Sequence, residues 1–190
     1  MTNRLDQVTR LPQRMLLLGL ACLAVAGCTA LPEQAGGVQQ MLDERTGITI
    51  TRLGKPLEFT VTVPPGPAKD PFAYLSPFQT NRMGQRADFV WLAVPADGTL
   101  VEQPVVRVDG AAVRFGTMSP SPAVAELESG PYRAPAPWSQ QFFVAADADT
   151  IAQLAGARRI EIATRDAGGE WSFVLEGDAL SALTRYAETR

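Results

Sequence analysis

Few side chains in this chain are equipped to make or break bonds, and the absences narrow the chemistry first. Histidine does not occur, the only cysteines are Cys22 and Cys28, and the only lysines are Lys55 and Lys69. A Ser-His-Asp or Cys-His arrangement is therefore excluded, as are imidazole-based zinc sites. Neither lysine stands in a Ser-x-x-Lys arrangement. Glu126 and Glu128 are two apart, so on a strand both carboxylates would face one side and could serve acid–base or glycosidic chemistry. Their Pro-rich surroundings favour a solvated loop instead. Asp147-Ala148-Asp149 offers oxygen ligands but lacks the remaining carboxylates and turn glycine of a calcium loop, and helix capping accounts for it. The densest polar cluster is Asn81-Arg82-Met83-Gly84-Gln85-Arg86, with two guanidinium forks suited to carboxylate or phosphate partners. Asn81, Arg82, Met83 and Arg86 are the candidate binding residues. Arg158, Arg159 and Arg165 read as a charged sheet edge. No catalytic residue, metal site or cofactor is assigned.

The elements that must hold these residues read as mainly β. The 81–86 turn lies between an aromatic stretch, 72–78, and Phe89-Val90-Trp91-Leu92-Ala93-Val94. The latter is apolar at every position, as a central strand covered on both faces would be. Its neighbours Phe72, Tyr74, Phe78, Phe89 and Trp91 read as core, with an apolar groove as the alternative. Alternation marks strands over 48–50 and 57–63, which Pro64-Pro65 ends. Val38, Met41, Leu42 and Arg45 have helical spacing, with Gly47 as the stop, and predict a short helix. Asp109-Gly110 suits a type I′ turn joining 105–108 to 111–115. Residues 119–137 carry five prolines and read as a long surface excursion. Asp149 is expected to cap a helix ending at Gly156. Ile160 and Ile162 should face Trp171, Phe173 and Leu175 across a hairpin, and Asp178 should cap a last helix, opened by Gly177-Asp178 and lined by Leu180, Leu183 and Ala187. The expected fold is an antiparallel sandwich or strongly curved sheet with two or three short helices, one of them C-terminal.

The beginning of the chain carries an address. Arg4, Arg10 and Arg14 precede an apolar run from Met15, the pattern of a secretory signal peptide and too short for a spanning helix of ~20 residues. Val25-Ala26-Gly27-Cys28 resembles the lipobox of bacterial lipoproteins. The resemblance implies cleavage between Gly27 and Cys28, diacylglycerol on the Cys28 sulfur and a further acyl chain on its amine. Ala24-Val25-Ala26 as an ordinary cleavage site is the alternative. The organisation expected is a signal peptide over 1–27, a lipidated N-terminus and flexible tether over 28–37, and one β-rich periplasmic domain over 38–190. Thr29, where retained inner-membrane lipoproteins commonly carry Asp, implies the outer membrane, facing the periplasm.

Losing Arg4, Arg10, Arg14 and Asp6 reduces 17 basic and 20 acidic residues to 14 and 19, a net charge of −5. That balance gives no footprint for nucleic acid, so lipid would do the anchoring. The Asn-Arg-Met-Gly segment is similar to stretches in uncharacterised proteobacterial lipoproteins over residues 46–94, a likeness that implies no activity. The function expected is a non-catalytic, membrane-moored protein that binds or scaffolds another envelope protein or polymer, in an oligomeric state the sequence leaves open. A small-ligand carrier and a carboxylate-based cell-wall enzyme are the alternatives.

Overall fold

A computed structural model describes residues 37–63, 72–96 and 100–190, within one unit, Gln34–Arg190. The expected signal peptide, the cleavage site at Gly27 and Cys28, and the tether up to residue 36 lie outside the described residues. The fold is mainly β and antiparallel throughout, a single sheet that does not close.

One half of the sheet contains β1 (Val38–Asp43), β2 (Ile48–Leu53), β4 (Ala73–Arg82), β5 (Gln85–Pro95) and β8 (Ser139–Ala146), paired in that order. The other contains β10 (Gly169–Glu176), β9 (Arg159–Asp166), β6 (Val105–Val108) and β7 (Ala111–Ala112). β3 (Leu57–Val63) belongs to both. Its first residues pair with Ala73–Leu75 of β4, and its later ones pair with Ser172–Val174 of β10. The ladder skips Thr62 between those pairings, a bulge of the kind that bends a strand. Leu75, Val90, Leu92 and Val144 from the first half therefore share a core with Val106, Ile160, Ile162 and Phe173 from the second.

Two helices pack into that core. In α1 (Ala148–Ala155) Asp147, not the expected Asp149, is the cap: its Oδ1 accepts the Thr150 N–H at 2.7 Å. Gly156 ends the helix, as its sequence position implies. Gly177 and Asp178 open a 3₁₀ turn (Gly177–Leu180) that leads into α2 (Ser181–Thr189); Asp178 lies inside the first turn and is not the expected cap, since no side chain caps either segment. Leu180, Leu183 and Tyr186 are buried on their inner face, and Ala187 packs half-buried against the same core, so the expected face gains a tyrosine.

The hairpins follow their turn residues. Asp109 and Gly110 have φ of 50° and 86°, as a type I′ turn requires, although the returning strand has two residues where five were expected. Ile160 and Ile162 pair with Leu175 and Phe173, and all four are buried. The expected helix at 38–45 is instead β1. Eight residues are too few to sustain a helix in water without packing, whereas the exposed edge of β2 offers six of them a complete ladder from Val38↔Leu53 to Asp43↔Ile48. Gly37, expected to be tether, already accepts the Gly54 N–H at 2.7 Å. Nor do the arginines form an edge: β9 lies between β10 and β6, and Arg159 and Arg165 bind Glu161, Glu176, Glu102 and Glu170 on its solvent face.

Candidate functional site

β4 and β5 run the full depth of the first half and meet in a two-residue turn at Met83-Gly84. Both turn residues have positive φ, 51° and 91°. Glycine adopts this at no steric cost, but a methionine in the left-handed region costs ~1–2 kcal/mol. Asn81 steadies the turn, its Oδ1 accepting the Gly84 N–H at 2.9 Å. Met83 is nevertheless 100% exposed. A strained apolar side chain standing wholly in water contributes nothing to packing.

The two arginines flanking the turn separate to opposite faces, because side chains alternate along a strand. Arg82 lies on the face shared with Ile48 and Phe78, where its Nη1 meets Glu126 Oε2 at 2.8 Å. Arg86 shares a cross-strand row with Asn81, Thr49 and Leu42 on the other face. It is exposed and has no ion-pair partner among the described residues. Arg45, in the neighbouring β1–β2 turn, pairs with Glu128.

Glu126 and Glu128 thus come to the hairpin tip from the Pro-rich segment. Each carboxylate is engaged by its own arginine, on an irregular stretch following a 3₁₀ turn (Pro122–Ala125) and not on a strand. Both pairs are exposed, a setting in which an ion pair contributes ~0–1 kcal/mol. They orient the surface more than they stabilise it. The surface they complete comprises Arg45, Arg82, Met83, Arg86, Glu126 and Glu128.

What holds the excursion there is a second apolar core. Ala125 and Leu127 are buried against Ile48, Ile50, Phe78, Phe89, Trp91 and Phe143 on the outer face of the first half-sheet. The residues read as either core or groove, Phe78, Phe89 and Trp91, are therefore core, covered by this segment. Ser119 exchanges main-chain hydrogen bonds with Phe143 at 2.9 and 2.7 Å. Gly130 passes so close that a Cβ there would lie 2.9 Å from Phe143 Cζ.

Tyr132 is the main fastening. Its hydroxyl donates to the Leu53 carbonyl at 2.7 Å and lies 2.8 Å from Ser76 Oγ. Its ring sits 5.0 Å from Trp91 and 4.6 Å from the Arg52 guanidinium carbon. Burial pushes the phenol up to about 12, against the opposing pull of Ser76 and Arg52. The segment is thus a packed cover, where composition suggested a surface excursion.

Tyr132 and Arg52 were not singled out in the sequence, and Arg45 was read only as part of a helical spacing. The signal for Tyr132 was present: it is the one aromatic in the Pro-rich stretch. Among the described residues, no group of three or more Asp or Glu side chains is placed to hold a metal ion, and no helix is long and apolar enough to cross a membrane. No family model, curated protein or solved structure matches the chain.

Proposed function

We propose that this is a cell-envelope lipoprotein, moored by acyl chains on Cys28, that acts without catalysis by binding another envelope component through the β4–β5 hairpin tip. Two acyl chains hold a protein stably where one does not, at ~0.8 kcal/mol for each buried methylene. A domain moored this way needs no membrane segment of its own. The observation that carries the binding reading is Met83, fully exposed in a left-handed turn. The polypeptide enters β1 at Gly37, beside Leu53, whereas the tip adjoins the far end of that strand, near Asp43 and Ile48. A mooring upstream of Gly37 would leave the tip available to a partner. Arg86 supplies an uncommitted guanidinium for a carboxylate or phosphate on that partner.

The test has two arms. Intact-mass measurement of the membrane-derived protein should show a chain that begins at Cys28 and carries acyl groups; an unmodified thiol would overturn the mooring. Crosslinking in intact cells through a photoreactive residue at Gln85 should capture a defined neighbour, which Met83→Asp combined with Arg86→Glu should abolish. A capture pattern unchanged by that double substitution would overturn the hairpin tip as the binding surface.

A further inference from the structure

Among the described residues β1 and β8 are the long strands at the ends of the sheet, β7 having only two residues. Ser119 engages the outer side of β8 at Phe143. β1 has six residues and ends the strand order, with no described strand on its outer side. The Gly54 N–H donates to the Gly37 carbonyl, which identifies 37, 39, 41 and 43 as the residues bonded to β2. Val38, Gln40 and Leu42 consequently direct their N–H and C=O groups outward. Proteins usually blunt such an edge with Lys, Pro or a bulge. β1, Val-Gln-Gln-Met-Leu-Asp, has none of these, and Leu42 is 58% exposed.

From this edge we infer that the protein forms a twofold dimer in which β1 pairs antiparallel with β1 of a second copy. A twofold axis perpendicular to the sheet must pass midway between a residue and the image that it faces. Centred on Gln40, it places Gln40 opposite Gln40 and Val38 opposite Leu42, twice. All three outward residues then exchange both main-chain bonds, about six in total. The exposed Leu42 gains an apolar cross-strand partner. Charge agrees with this register: Asp43, the only charged residue of β1, falls opposite Gly37, and its Oδ1 already accepts the Arg45 N–H at 3.1 Å. The neighbouring register, centred on Met41, sets Met41 against Met41, Gln40 against Leu42 and Val38 against Glu44; because Glu44 lies beyond the end of β1, it exchanges the two Val38–Leu42 pairs for one methionine pair and keeps only about four of the six main-chain bonds. A contact built on one strand is small beside the ~1,200–2,000 Å² of stable complexes, so the dimer is expected to be reversible. The inference concerns β1 alone and holds whether or not Cys28 carries lipid.

Sedimentation of the full chain in detergent, at ~1–100 µM, should show a concentration-dependent monomer–dimer equilibrium. Gln40→Pro removes an N–H that the monomer does not use, so it should weaken association at least tenfold while leaving the melting temperature nearly unchanged. Leu42→Lys should do the same, and it keeps the test intact if the proline variant fails to fold. A photocrosslinker at position 40 should yield a doubled-mass product mapping to residues 38–42 of both copies. A strictly monomeric wild type, a dimer indifferent to both substitutions, or crosslinks mapping elsewhere would each overturn the inference.

Discussion

At the scale of single residues, Met83 and Tyr132 show opposite relations between strain and purpose. Met83 holds a left-handed conformation with no packing in return. Asparagine accepts that conformation more readily and is favoured before glycine in a type I′ turn. Met83→Asn should therefore raise stability by ~0.5–1 kcal/mol, a melting shift of ~1–4 °C, while lowering partner capture in cells. A variant neither more stable nor weaker in capture would mean that methionine serves no purpose there. Tyr132 is held by burial in its neutral form, its value raised to about 12 from an ordinary value near 10. The folded state thus holds the proton more tightly than the unfolded chain does. Its contribution is whole below pH 10 and is lost as pH rises through 12. Denaturant midpoints should fall across that alkaline interval, and Tyr132→Phe should flatten the fall at a cost of ~1–3 kcal/mol at neutral pH for the lost hydroxyl contacts.

The element that most changes the picture is the Pro-rich cover. Gly130→Ala would press a methyl group into the ring of Phe143, which is itself buried, so a loss of ~1–3 kcal/mol is expected from denaturant titration. The same variant should expose Trp91, visible as a red shift in its fluorescence. What the sequence concealed here is instructive. Prolines and charges at 119–137 describe the outward surface faithfully, but Ala125, Leu127 and Tyr132, the inward contacts, are too sparse to set up any period. β1 was concealed for a different reason: Val38, Met41, Leu42 and Arg45 fit a helical spacing by coincidence, and the neighbouring strand decides between the two conformations. Where period and turn agree, as in Ile160, Ile162, Trp171, Phe173 and Leu175 around the 166–169 turn, the element was legible in full. Of the site, Asn81 to Arg86 was legible as a turn. Its pairing with Glu126 depends on a contact 44 residues away in the chain, which local pattern cannot encode.

For the whole molecule, the lack of histidine leaves no side chain with an ordinary value between pH 5 and 8. Desolvation is the largest single influence on Asp43, but hydrogen bonds from Thr46 and Arg45 together outweigh it and lower its value; Thr150 lowers that of Asp147. Both stabilise the fold above the ordinary carboxylate range and cease to do so as pH falls through their lowered values. A level stability profile from pH 5 to 9 that declines only at the extremes is the expected result of thermal melts. A steep slope near neutrality would contradict it. β3 has a consequence of another kind. Because one strand is stitched into both halves of the sheet, neither half can peel away without tearing the other's ladder. Amide protons in β4 and β10 should therefore exchange with deuterium at matched rates, through a single cooperative opening. Phe59→Ala, in the middle of that seam, should accelerate both together, so that the molecule frays as one body or not at all.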